Sequence, residues 1–177
     1  MFKKILIVLV VVIAAFLGYA ATRPDTFEVS RSAVIKAPPQ RVFDIVNDFH
    51  NFPQWSPWQH LDPKMQATYS GPQNGVGSSY AWSGNDKAGQ GSMKITEAQA
   101  PAKIAMQLDF IKPFASTNTV DFTFAPEADG TRVTWTMRGA SPFVMKVMTV
   151  FVSMDKTIGP DFEHGLANLK TVAETPR

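Results

Sequence analysis

APPQRVFDIVNDFHNFPQWSPW, residues 37–58, is the stretch on which the reading of the fold turns. Its paired prolines, Pro38 and Pro39, preset the backbone for a helix start. Val42, Ile45, Val46 and Phe49 then recur at spacings of three and four, which predicts a short amphipathic helix. Beyond it, Pro53, Pro57 and Pro63 interleave with Trp55 and Trp58, too many helix breakers for a long regular element. A loop with at most a brief helical turn is expected there.

On the N-terminal side, residues 27–36 alternate. Phe27, Val29, Ala33 and Ile35 share one face, and Glu28, Ser30, Ser32 and Lys36 the other, as in a strand with one wet side. Arg31 falls on the apolar face. Burying an unpaired charge is costly, so a bulge or rim position is favoured for it, with a charge aimed into an interior cavity as the alternative.

On the C-terminal side six strand-like segments follow, residues 65–70, 78–82, 90–97, 103–110, 116–124 and 131–138. They are separated by turn-forming stretches rich in glycine and proline. Consecutive hairpins imply an antiparallel sheet. One face of it carries large side chains: Tyr80 and Trp82; Met93 and Ile95; Met106, Leu108 and Phe110; Phe122 and Phe124; Trp135 and Met137. Residues 142–175 return to helical spacing, as one long helix or two short ones, with Gly159-Pro160 expected to kink or divide it. The run FVMKVMTVFV, 143–152, is apolar on all sides but for Lys146. Burial under the sheet is the favoured reading, and contact with a bilayer the alternative.

This order of a strand, a short helix opening at a PP pair, NFPQWSPW, six antiparallel strands and a C-terminal helix containing FEHGLANLK resembles the START-like helix-grip (SRPBCC) superfamily, polyketide cyclase/dehydrase and lipid-transport branch. The resemblance covers about residues 27–174. It implies an α+β helix-grip fold, a curved antiparallel sheet of about seven strands wrapped on a long C-terminal helix, with an interior cavity for a lipid, polyketide, sterol or other apolar molecule.

An N-terminal segment lies outside that pattern. After Lys3 and Lys4, residues 5–22 carry no charge, and as a helix they would extend roughly 26 Å, just enough to span a bilayer. A retained signal anchor is favoured over a cleaved signal peptide because the apolar run is long. The positive-inside rule then keeps the two lysines cytoplasmic and places the domain on the periplasmic or extracellular side of a single-pass membrane protein. The expected layout is an anchor over 1–22, a linker over 23–26 and a ligand-binding domain over 27–175.

Composition narrows the function. Without Lys3 and Lys4, fifteen basic residues face fifteen acidic ones, which gives no phosphate-binding surface and argues against nucleic acid. The absence of cysteine excludes disulfides, thiolate metal sites and a cysteine nucleophile. No G-x-S-x-G elbow, P-loop or H-E-x-x-H motif is present. Asp48 with His50 and His60 with Asp62 match no metal-binding spacing, so neither metal nor cofactor is expected, and nothing points to a particular protein partner.

The ligand candidates are therefore apolar. Trp55, Trp58, Tyr80, Trp82, Met93 and Met106, with Phe110, Phe122, Trp135, Met137, Phe143, Phe151 and Met154, divide between solid core and a cavity lining. Asn118, on the same face as Phe122, could orient a ligand carbonyl or hydroxyl, with exposure at the strand end as the alternative. If the cavity performs chemistry of the cyclase or dehydratase kind, Arg31, Asn118 and His164 are the polar groups to test. His164, however, lies off the apolar stripe of its helix.

Overall fold

The computed structural model describes residues 2–176; Met1, counted with the anchor, and Arg177 lie outside the described residues. The chain begins with helix α1 (Phe2–Ala21) and enters strand β1 (Thr26–Ile35). Helix α2 (Pro39–Val46), a 3-10 turn (Phe49–Asn51) and the single turn α3 (Phe52–Trp55) follow. Then come β2 (Gln66–Ser70), β3 (Ser79–Ser83), β4 (Gln90–Gln99), β5 (Lys103–Lys112), β6 (Ser116–Glu127) and β7 (Gly130–Ala140), before α4 (Phe143–Thr149) and α5 (Met154–Glu174). The seven strands form one antiparallel sheet in the order β1-β7-β6-β5-β4-β3-β2. β1 therefore lies against the last strand, and the segment holding α2 and α3 crosses the whole sheet to reach β2.

Each element follows from local chemistry. α2 opens with Pro39 in its first turn, after Pro38 in extended geometry, and buries Val42, Phe43, Ile45 and Val46. Phe43 sets its ring edge against Phe124 of β6, 5.7 Å between centroids. In β4 the pairing with β5 slips between Gln90 and Gly91 and again between Ile95 and Glu97, irregularities that bend a strand and help a sheet curve. The inward alternation expected along the strands is realised: Ile95, Ile104, Met106, Val120, Phe122, Phe124, Val133 and Trp135 are all buried against α2, α3 and α5.

Three expectations are corrected. The first concerns the bulge at Arg31, while the rim position expected for it stands: β1 pairs with β7 residue for residue from Thr26 to Ile35, with no bulge. Arg31 points to the inward face but at the edge covered by α5. Its Nη1 and Nη2 donate to the two oxygens of Asp155 at 2.7 and 3.1 Å, and its Nε donates to Glu163 Oε1 at 2.7 Å. Asp155 and Glu163 stand on either side of Gly159, where any Cβ would collide with the guanidinium. The missing side chain lets Arg31 lie flat against the helix.

The second concerns Pro160, which does not divide the helix: α5 runs unbroken from Met154 to Glu174. The break falls earlier, at residues 150–153, where the Ser153 hydroxyl caps the new helix by accepting from the Lys156 N–H. Pro160 removes one backbone bond. The burial of Phe162, Leu166 and Leu169 and the Arg31 clamp across the same turn hold the helix through the gap.

The third concerns 143–152, which is not interior. Phe143, Val144, Met148, Phe151 and Val152 are exposed, and Lys146, the lone charge of the run, is the buried residue of α4, paired with Asp25. The apolar segment lies beside α1, with Phe151 stacked on Phe16 at 5.6 Å, rather than beneath the sheet. Beyond Lys3 and Lys4, α1 is apolar, and it is long enough to cross a membrane, a test that a signal sequence near the N-terminus also passes.

The Arg31 clamp has a pH signature. Hydrogen bonding from Arg31, with its positive charge, holds the Asp155 carboxyl below the usual carboxylate range. A depressed folded-state pKa contributes stability that is present above the unfolded value of about 3.9 and lost as pH falls through the lower folded value. Arg31→Met is thus expected to destabilise the domain by an amount that is constant above about pH 5 and shrinks below about pH 4. Urea unfolding at stepped pH reads it; a wild-type-to-variant gap that stays constant into acid would rule out the linkage.

Candidate ligand-binding cavity

Between the concave face of the sheet and its helical cover lies a cavity of about 230 Å³. The sheet supplies Tyr80 and Trp82 from β3, Met93 from β4, Met106, Leu108 and Phe110 from β5, Val120 and Phe122 from β6, and Trp135 and Met137 from β7. Phe49, Phe52, Trp55, Trp58, Leu61 and Met65 cover it from the segment between β1 and β2, and Ile158, Asp161 and Phe162 close it from α5. Apolar walls with few polar groups suit a ligand held chiefly by burial of its own apolar area.

Trp135 is the hub of the aromatic wall. Its ring lies between Phe162, 4.0 Å away and nearly parallel at 8°, and Phe122 at 5.0 Å, while Trp55 and Trp58 meet it edge-on at 5.6 and 5.7 Å. Such stacked and edge-to-face pairs add to what burial alone contributes. The approach of α5 depends on Gly165, where an added Cβ would come within 2.7 Å of the Trp135 ring.

The polar groups are few: among the described residues Trp55 Nε1, Gln59 Oε1 and Trp135 Nε1 have no hydrogen-bond partner, while others are engaged. Trp58 Nε1 donates to Asp161 Oδ2 at 3.1 Å, tying the loop to α5, and Trp82 Nε1 donates to the Ala88 carbonyl at 3.0 Å. Burial, with a lesser contribution from Tyr69, pushes the Tyr80 phenol up to about 12, so at neutral pH it is a neutral phenol and not a phenolate base. Lys87 and Asp161 are the ionisable neighbours at the periphery. Among the described residues no three His, Asp or Glu side chains converge on one point. Instead His50 pairs with Asp48 at 2.8 Å and stacks on Tyr69, while Asp62 accepts from the backbone of Lys64 and Asn85.

Ten of the side chains named from sequence meet in this cavity: Trp55, Trp58, Tyr80, Trp82, Met93, Met106, Phe110, Phe122, Trp135 and Met137. Others do not. Phe143 and Phe151 are on the surface, Phe151 at 77% exposure, because their segment lies beside α1. Met154 packs against the core without reaching the cavity. Asn118 is buried, but at the sheet end, where its Nδ2 donates to Ser116 Oγ at 3.4 Å and its amide oxygen lies over Gly139. It borders a separate shallow groove with Phe27 and Arg138. His164 is exposed, one position off the buried stripe, and Arg31 is engaged by two carboxylates at the outer edge of α5, so neither reaches the cavity. Asp161 and Lys87 escaped the sequence reading because only the folded chain brings α5 and the 84–89 turn to the same opening. Leu108 and Val120 shared the inward alternation and were legible in it.

The family model described as "Polyketide cyclase / dehydrase and lipid transport" matches residues 26–174. No curated protein matches the sequence. A crystal structure of a Chromobacterium violaceum protein is similar over 87% of this chain and 100% of its own, with TM-score 0.61 and 16% identity. The solution structure of the Aha1 dimer from Colwellia psychrerythraea is similar over 84% of this chain and 96% of its own, with TM-score 0.60 and 16% identity. The di-domain ARO/CYC BexL is similar over 90% of this chain and 54% of its own, with TM-score 0.64 and 16% identity. At such identities the likeness carries the fold and no further.

Proposed function

Because the chain belongs to the polyketide cyclase/dehydrase and lipid transport family, we propose that it is a membrane-tethered domain that binds a hydrophobic small molecule or lipid in its interior cavity. The observation that carries this reading is the cavity itself, walled by aromatic, methionine and aliphatic side chains around about 230 Å³. That space lies just below the ~300–1,000 Å³ of common ligand sites, which favours a compact ligand or a single apolar chain. In this reading residues 1–22 are the anchor, 23–26 the linker and 27–175 the binding domain. Lys3 and Lys4 stay cytoplasmic, and the domain faces the periplasm or the exterior.

A second reading, a cyclase- or dehydratase-type enzyme using the same cavity, is favoured by the family's description and by one group, Asp161, whose carboxylate borders the cavity. It predicts turnover of a reactive apolar chain that Asp161→Asn slows. Native mass spectrometry of the full chain, extracted gently from its own envelope, tests the first. The binding reading expects a co-purifying apolar mass. A clean, empty protein that also takes up no fluorescent fatty acid would remove it.

A further inference from the structure

The strand register gathers four features at one end of the sheet. Thr26 pairs with Ala140, Asn118 with Gly139, Phe110 with Ser116, and Gln90 with Lys112. The exit of α1, the start of α4, the 113–115 turn and the 84–89 turn therefore lie together. This end is also where apolar side chains face outward: Phe143, Val144, Met148 and Phe151 on and after α4, Ile111 and Phe114 on the β5–β6 hairpin, with Phe114 73% exposed. α4 is inverted for a surface helix, its lysine turned in and its aliphatic and aromatic side chains turned out.

We propose that this end of the domain rests in the surface of an anionic lipid bilayer, the same bilayer that α1 enters, and that the cavity opens toward it. The proposal rests on α1 being a retained anchor, and helix length then sets the depth. With Lys3 and Lys4 held outside, the uncharged run from Ile5 to Ala21 gives roughly 26 Å at 1.5 Å per residue, short of the ~30 Å hydrocarbon core, so α1 has no turn to spare outside it. Phe16 lies five residues before Ala21, roughly 7.5 Å in from that end, and Phe151 is stacked on it. Phe151 must share that depth, within the ~5–10 Å to which interfacial helices sink their apolar face.

Charge selects the lipid. Arg23, Lys87, Lys112 and Lys156 stand at this end, and among the described residues none of them forms an ion pair. Asp25 is engaged by Lys146 and Asp155 by Arg31, while Asp62, Asp86 and Asp161 at the same end form no ion pair among the described residues; the free cations exceed the free carboxylates slightly, and anionic lipid attracts that surplus. The cavity opens on the same side. Leu61 and Lys87 are its exposed lining residues, and the half-buried Phe110 and Ile158 stand beside the hairpin and α4. An apolar ligand would pass from the lipid into the cavity without crossing water.

The chain has no cysteine, so single cysteines can be labelled with an environment-sensitive dye. The full chain is placed in phosphatidylcholine–phosphatidylglycerol vesicles with the label at Val144→Cys, Phe151→Cys or Phe114→Cys. Asp129→Cys, in the turn at the opposite end of the sheet, and Val8→Cys, in α1, serve as references. Labels at 144, 151, 114 and 8 are expected to blue-shift and to lose roughly half or more of their intensity to spin-labelled lipid, while 129 responds only to aqueous iodide. If 144 and 151 behave like 129 while 8 is quenched by lipid, the docked surface is wrong and the anchor stands. If 8 is also open to iodide, both are wrong.

Discussion

Trp135→Ala is expected to lower the unfolding free energy by about 3–5 kcal/mol, the range for deleting a large buried aromatic from a core. The ring is 4% exposed and fills the junction of sheet, loop and helix, so its loss removes stacking on Phe162 and Phe122 and two edge contacts at once. Collapse into the gap is hindered, because α5 is already drawn close through Gly165. For a domain of this size such a loss moves the melting temperature by roughly 10 °C. Trp135→Phe should cost far less. Among the described residues the Trp135 indole nitrogen has no hydrogen-bond partner to lose, and most of the stacking survives. Calorimetry of the two variants checks the argument; equal, small shifts would mean that Trp135 is not the hub described.

Met106→Trp should sharply weaken ligand uptake while leaving the fold in place. Met106 sits on β5, paired with Ile95 on one side and Val120 on the other, and points into the cavity. A bulkier ring there occupies space the ligand needs, at a stability cost of ~1–3 kcal/mol for overpacking. Apparent affinity for a fluorescent fatty acid should fall by roughly 100-fold, about 2.8 kcal/mol. Near-UV circular dichroism monitors the fold in parallel. Unchanged affinity with a filled cavity would move the ligand to another place on the molecule, such as the groove beside Asn118.

Much of the architecture could be read in advance because it is written in local pattern. All seven strands were visible from period-two alternation and turn residues, and the cavity-facing set from Tyr80 to Met137 follows from the same alternation. What escaped was set by partners distant in sequence. Nothing near Arg31 announces that Asp155 and Glu163 will straddle a glycine to receive it, so a bulge was the cheaper explanation. Residues 143–152 were misread for a related reason: a segment apolar on every side fits an interior, and only the placement of α1 beside it shows an alternative neighbour. The Trp58–Asp161 bond likewise joins two elements that share no sequence signal.

The pairing of the first strand with the last governs how the domain comes into being. β1 has β7 as its single partner in the sheet, and Thr26 meets Ala140 only after roughly a hundred intervening residues have been made. At about 5–20 residues per second, β1 waits on the order of 10 s on the ribosome before its ladder can form. Pairings so distant in sequence are also slow to close once the chain is complete. Through that interval β1 is an unpaired edge open to aggregation, and a chain truncated after β6 would keep it so.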